Sequence, residues 1–148
     1  MKLLPNHKLS KEQLDAHYMV EKILNTTDFE AWFVRSRFTE LTDNLSNVSL
    51  LEKCFRNQHY RFIWQIIDRP WWKFWDRSNG KTEGYTIKTY RKKFLKMTFS
   101  ERSGYLTHEM MLIMGFCRSN KPSAAKSVPV QVADYVQKAV SFYYKANH

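Results

Sequence analysis

The hydrophobic period of this chain changes twice, from helical to alternating near Tyr60 and back to helical at Thr98, so the chain has to pack helices against a sheet. Before the first change, Ser10 and Gln13 make a capping-box pattern. Ala16, Val20, Ile23 and Leu24 follow at helical spacing and predict a helix over about residues 11 to 24. Asp28 is placed to cap a second, short helix bearing Phe29, Trp32 and Phe33. Ser46 is placed to cap a third, with Val48, Leu51, Cys54 and Phe55 as its apolar stripe.

Between the two changes, Phe62, Trp64 and Ile66 alternate with Arg61, Ile63 and Gln65, the pattern of a strand. Pro70 interrupts it. Asn79-Gly80 is a tight-turn dipeptide, and residues 84 to 90, Gly-Tyr-Thr-Ile-Lys-Thr-Tyr, form a second strand candidate, so a long, twisted β-hairpin is expected. After the second change, Thr98 or Ser100 opens a helix with Phe99, Leu106, Met110 and Ile113 on one face. Gly115 stands where a left-handed residue would end it. Residues 118 to 126 read as a loop. Ser127 and Pro129 begin a last helix whose Val132, Val136, Ala139, Val140 and Tyr143 line a core face.

The expected class is therefore α+β: N-terminal helices, a β-hairpin or small sheet, and two later helices. With 148 residues, 43% of them hydrophobic, the chain can bury a core as one domain over residues 1–148, residues 1–9 being read as a flexible arm. The first residues carry no apolar run of the secretory kind and no stretch approaches bilayer-spanning length, so a cytoplasmic protein, alone or within a larger assembly, is expected. Cys54 and Cys117 are too few for a disulfide scaffold and read as reduced, buried thiols. The absence of a P-loop, a Rossmann glycine pattern and a nucleophile elbow argues against the common cofactor enzymes.

The net charge of +10 is unevenly spread. Residues 1–60 hold eight Lys/Arg against eight Asp/Glu, while residues 61–148 hold sixteen against six, so the whole excess lies in the second part. Within it, Arg69, Lys73 and Arg77 interleave with Trp71, Trp72, Phe74 and Trp75, and Lys88, Arg91, Lys92, Lys93 and Lys96 follow. Aromatic rings among cations suit single-stranded nucleic acid, another polyanion, a membrane surface or a protein partner. Arg69, Trp71, Trp72, Lys73, Trp75, Arg77, Lys88, Arg91, Lys92 and Lys93 are accordingly the candidate partner-binding residues. At least half of these tryptophans are expected to pack into the core instead.

Residues 108 to 118, His-Glu-Met-Met-Leu-Ile-Met-Gly-Phe-Cys-Arg, keep the frame of a zinc-peptidase signature. In H-E-x-x-H-x-x-G-x-x-H, two histidines one helical turn apart hold zinc and the glutamate is the general base. The glycine turns the chain so that a third histidine reaches the metal. His108, Glu109 and Gly115 stand at their positions, while Leu112 and Arg118 replace the second and third histidines. Gly84-Tyr85-Thr86 precedes this helix, Gly115-Phe116 ends it, and Ser127-Val128-Pro129 opens the last one. In these features, and in the order of its elements, the chain resembles small zincin-like metallopeptidases of the metzincin kind.

The resemblance spans roughly residues 18 to 145. It implies a zincin-like fold in which His108 is a vestigial zinc ligand and Glu109 a vestigial general base. Leu112 offers no donor atom, and Arg118 is a permanent cation without a lone pair for a metal. If a full protein site contributes about 10–16 kcal/mol, one ligand contributes roughly 3–4 kcal/mol, a dissociation constant of about 1 mM or weaker. No cofactor is therefore expected, with zinc only if replacement ligands come from His7, His17, His59, His148, Cys54, Cys117 or nearby carboxylates. Arg118 is placed to pair with Glu109 in place of the lost cation. The expectation is a catalytically inactive, metallopeptidase-like protein that binds a protein or peptide partner. The alternatives are a polyanion-binding protein and a hydrolase with a rearranged metal site.

Overall fold

In the computed structural model, which describes residues 1–38, 46–73, 75, 77–116 and 127–146, helix α1 runs Lys11–Leu24. Ser10 accepts from the Gln13 amide while the Gln13 side chain accepts from the Ser10 amide, the predicted capping box. Helix α2, Thr27–Arg35, is capped by Thr26 rather than Asp28, which lies in its first turn beside the positive end of the helix dipole. Helix α3, Asn47–Leu50, is capped by Ser46 as expected and passes into a wider π turn over Leu51–Phe55. The inward set is Leu50, Leu51 and Phe55, while Val48 is exposed.

Four strands form one sheet in the order β1-β2-β4-β3, namely β1 Lys2–Pro5, β2 His59–Ile67, β3 Gly80–Glu83 and β4 Thr86–Tyr90. Two sequence expectations fail here. Residues 1–9 are not simply an arm: β1 pairs in parallel with β2, Leu3 is buried, its amide donates to Glu21 of α1 at 2.9 Å, and its carbonyl accepts from His17 Nε2 at 2.8 Å. Nor do β2 and β4 make a hairpin, because they run parallel, from Ile63 opposite Thr86 to Ile67 opposite Tyr90. Period-two alternation describes a strand's faces and carries no information about the direction of its neighbour.

The actual hairpin is β3 with β4, closed by Gly84-Tyr85, where Gly84 takes φ +60°. Asn79-Gly80 opens β3 instead of turning the chain. A Cβ at Gly80 would lie 1.9 Å from the Lys88 carbonyl oxygen, so glycine is what lets the two strands approach.

Helix α4, Arg91–Lys96, follows β4 directly. Helix α5, Phe99–Ile113, starts with a second capping box, Thr98 with Glu101. It ends in a Schellman motif: Gly115 has φ +102°, its amide donates to the Leu112 carbonyl, and the Phe116 amide donates to Met111 at 3.0 Å. Helix α6 runs Val128–Ala146, with Val132, Val136 and Val140 fully buried and Tyr143 exposed. The predicted loop over residues 118 to 126 lies outside the described residues. One face of the sheet, with Phe62, Trp64, Ile87 and Thr89, is buried with Ala16 and Val20 of α1 and Leu106 and Met110 of α5 in the core. Among the described residues, no helix is long and apolar enough to cross a membrane.

Candidate functional site

Helix α5 is pinned to the sheet by two polar links, and these set where its His-Glu pair lies. Trp64 Nε1 donates to Thr89 Oγ1 at 2.8 Å, and Thr89 Oγ1 donates in turn to the Tyr105 hydroxyl at 3.2 Å, so β2, β4 and α5 share one buried chain. One turn further along, Thr82 Oγ1 of β3 donates to Glu109 Oε2. Glu109 is 5% exposed, so the hydroxyl supplies part of the hydrogen bonding that a buried carboxylate requires.

A groove of about 610 Å³ runs along α5 between β3, the end of α4 and α6. Ser78, Asn79 and Gly80 form one wall, Lys93 and Lys96 another, and Tyr105, His108 and Glu109 the floor, with Gln137 of α6 opposite. The sequence motif therefore faces a groove, and the neighbouring edge strand is β3. Asn79 accepts from the Tyr90 amide at 2.9 Å, which fixes the alternation of the antiparallel ladder and leaves the amides and carbonyls of Gly80 and Thr82 on the outer edge. That edge can take an added strand.

Leu112 lies one turn beyond His108 on the same face of α5, where the signature would place a second ligand. Arg118, Cys117 and His148 lie outside the described residues, so the expected Glu109–Arg118 pairing belongs to a part of the chain not described. Of the other replacement donors, the carboxylate of Glu101 lines the groove, while His7, His17, His59 and Cys54 do not. His7 Nε2 meets the Trp64 carbonyl at 2.9 Å and His17 meets that of Leu3, and since a carbonyl only accepts, both rings carry the proton on Nε2. His59 begins β2 beside Lys2. Cys54 lies in the π turn, its thiol pushed up by burial, and its carbonyl accepts from the Tyr60 hydroxyl at 2.8 Å. Among the described residues, no three His, Cys, Asp or Glu side chains are grouped to hold a metal ion.

The candidate partner-binding residues divide by strand end. Arg69, Trp71, Trp72, Lys73, Trp75 and Arg77 follow β2, and Arg91, Lys92 and Lys93 follow β4, so nine of the ten leave the sheet at one end. Lys88 alone sits within the sheet, on the face away from α5, where it lies 3.6 Å from Glu83. Lys81 holds the same carboxylate at 2.7 Å, and this pairing keeps the Glu83 carboxyl below the usual carboxylate range. None of Trp71, Trp72 and Trp75 is buried, against the expectation that at least half would be. The core tryptophan is Trp64, whose indole N–H has Thr89 as its partner.

Sequence reasoning missed Thr82, Tyr105 and Gln137. Thr82 sits in a four-residue strand that the Asn79-Gly80 turn signal had assigned to a connection, and Tyr105 and Gln137 acquire their place only from the helix crossing. Comparison with protein-family models finds no match to this chain, and comparisons with curated proteins and with solved structures find none either.

Proposed function

We propose that the chain is a catalytically inactive, metallopeptidase-like protein that acts as a binding or structural module for a protein partner, taken up as an extended segment along the outer edge of β3. The observation that carries this reading is the state of Glu109. A general base needs its carboxylate directed at a water that a metal has acidified. Here the carboxylate is buried and holds the hydroxyl of the edge strand, a structural use of the same group. Leu112, one turn after His108, supports the reading from the other side, since it brings a branched alkyl group to the place of a ligand.

The groove suits a partner better than a small cofactor. It is open and bordered by Ser78, Asn79 and Gly80 at the start of the edge strand, with Lys93 and Lys96 on one side and Glu109 on its floor. An added strand would gain main-chain hydrogen bonds from the edge and side-chain contacts from α5.

Metal analysis of the purified protein tests the reading. Zinc well below one equivalent after dialysis, with no peptide hydrolysis on zinc addition, is the expected result. Stoichiometric zinc that survives dialysis would overturn it, and peptide hydrolysis by that zinc-loaded protein would favour the hydrolase with a rearranged metal site.

A further inference from the structure

Ile67 and Tyr90 are register partners on parallel strands, so the segments after β2 and β4 leave the sheet side by side. Arg91 and Asp68 join these exits at 3.1 Å. The first segment carries Trp71, Trp72 and Trp75, which are 83%, 53% and 64% exposed, and the second carries Leu95 at 67%. Leu95 is one turn from Arg91 and so shares the face of α4 that carries the ion pair to Asp68. Lys92, Lys96 and Arg77 are exposed around them. Large apolar side chains grouped in water at one end of a molecule, ringed by cations, favour an apolar phase with an anionic border.

We propose that this end of the sheet docks on the surface of an anionic lipid bilayer, with the indole rings and Leu95 at the level of the headgroups and the lysines and arginines against lipid phosphates and carboxylates. Single-stranded nucleic acid is the competing occupant, and the ring geometry disfavours it. Trp71 and Trp72 meet edge to face, with centroids 5.9 Å apart and planes at 87°, so two successive bases cannot stack in parallel on both. Leu95 offers no stacking face. Interfacial insertion makes no demand on the angle between rings, and it uses leucine as readily as tryptophan. The inference is independent of the metal-site reading, because none of the tryptophans lines the groove.

The test is co-sedimentation of the whole protein with vesicles of phosphatidylcholine alone or with one third phosphatidylserine, accompanied by tryptophan emission. Binding at least about tenfold stronger to the anionic vesicles, weakened by salt and accompanied by a blue shift, is expected. Trp71→Ala with Trp72→Ala should reduce it by about tenfold, and Lys92→Glu by about fivefold or more. All three positions are exposed, and unchanged circular dichroism will show that the variants fold. Leu14→Ala, at an exposed apolar position on α1, should bind as the parent does. No association with anionic vesicles overturns the proposal, as does undiminished binding by the tryptophan variant. Binding of a single-stranded oligonucleotide without vesicle binding overturns it in favour of nucleic acid.

Discussion

Tyr60 shows at the residue scale how a side chain the sequence does not single out is tied to its surroundings. Its hydroxyl donates to the Cys54 carbonyl, and burial pushes its pKa up to about 12 from 10. A raised pKa on an acid means that the folded state holds the proton more tightly than the unfolded chain does. The resulting stability is fully present below pH 10 and is lost as pH rises from 10 through 12. In denaturation curves across that window, Tyr60→Phe should lack this part of the parent's decline. Parallel declines in the two proteins would show that Tyr60 ionises normally. The caps at Ser10 and Ser46 were legible beforehand, and Thr98 as one of two candidates, because a hydroxyl and the amide that donates to it lie three residues apart in any helix start. The Thr82–Glu109 bond was not, since its partners are 27 residues apart and meet only through strand order.

The elements themselves were largely legible, and their relations were not. Alternation located β2 and β4, and the apolar spacing located α1, α5 and α6, because each pattern is a local consequence of backbone geometry. Strand direction depends on the route of residues 68–85 between β2 and β4, which no period records. Strands β1 and β3 are four residues each, too short to display alternation above noise. The crossing of α5 and α6 is likewise invisible in either helix alone. It depends on Gly104, where a Cβ would lie 2.9 Å from Gln137 Oε1 and 3.0 Å from its Cβ, with the Ala133 carbonyl at 3.3 Å. Gly104→Val should therefore destabilise the protein by about 1–3 kcal/mol, since overpacking outweighs the gain of a few tenths in helix propensity. Urea denaturation measures this, and a neutral or stabilised variant would mean that the helices are not in close contact there.

For the whole molecule, the sheet separates two regions with different chemistry. Along β3 and α5 lies a groove lined by His108 and Glu109, the pair on which the proposed metallopeptidase-like reading rests. At the end of β2 and β4 lies an exposed aromatic surface ringed by cations. The sequence singled out His108 and Glu109 in the first region and the tryptophans and most of the cations of the second, and the charge asymmetry pointed to the second. It misjudged the tryptophans because large aromatics are buried on average, and only the strand ends reveal that these three lie beyond the core. If the signature is a degenerate zinc site, histidines restored at positions 112 and 118 should complete it with His108. The most direct measurement is zinc titration of Leu112→His combined with Arg118→His against the parent, by calorimetry or competition with a chelator. The account predicts that the double variant binds zinc tighter by orders of magnitude, from the millimolar range or weaker to at least about micromolar, as three converging ligands require. Unchanged affinity in a folded double variant would mean that the three positions do not converge and would contradict the account.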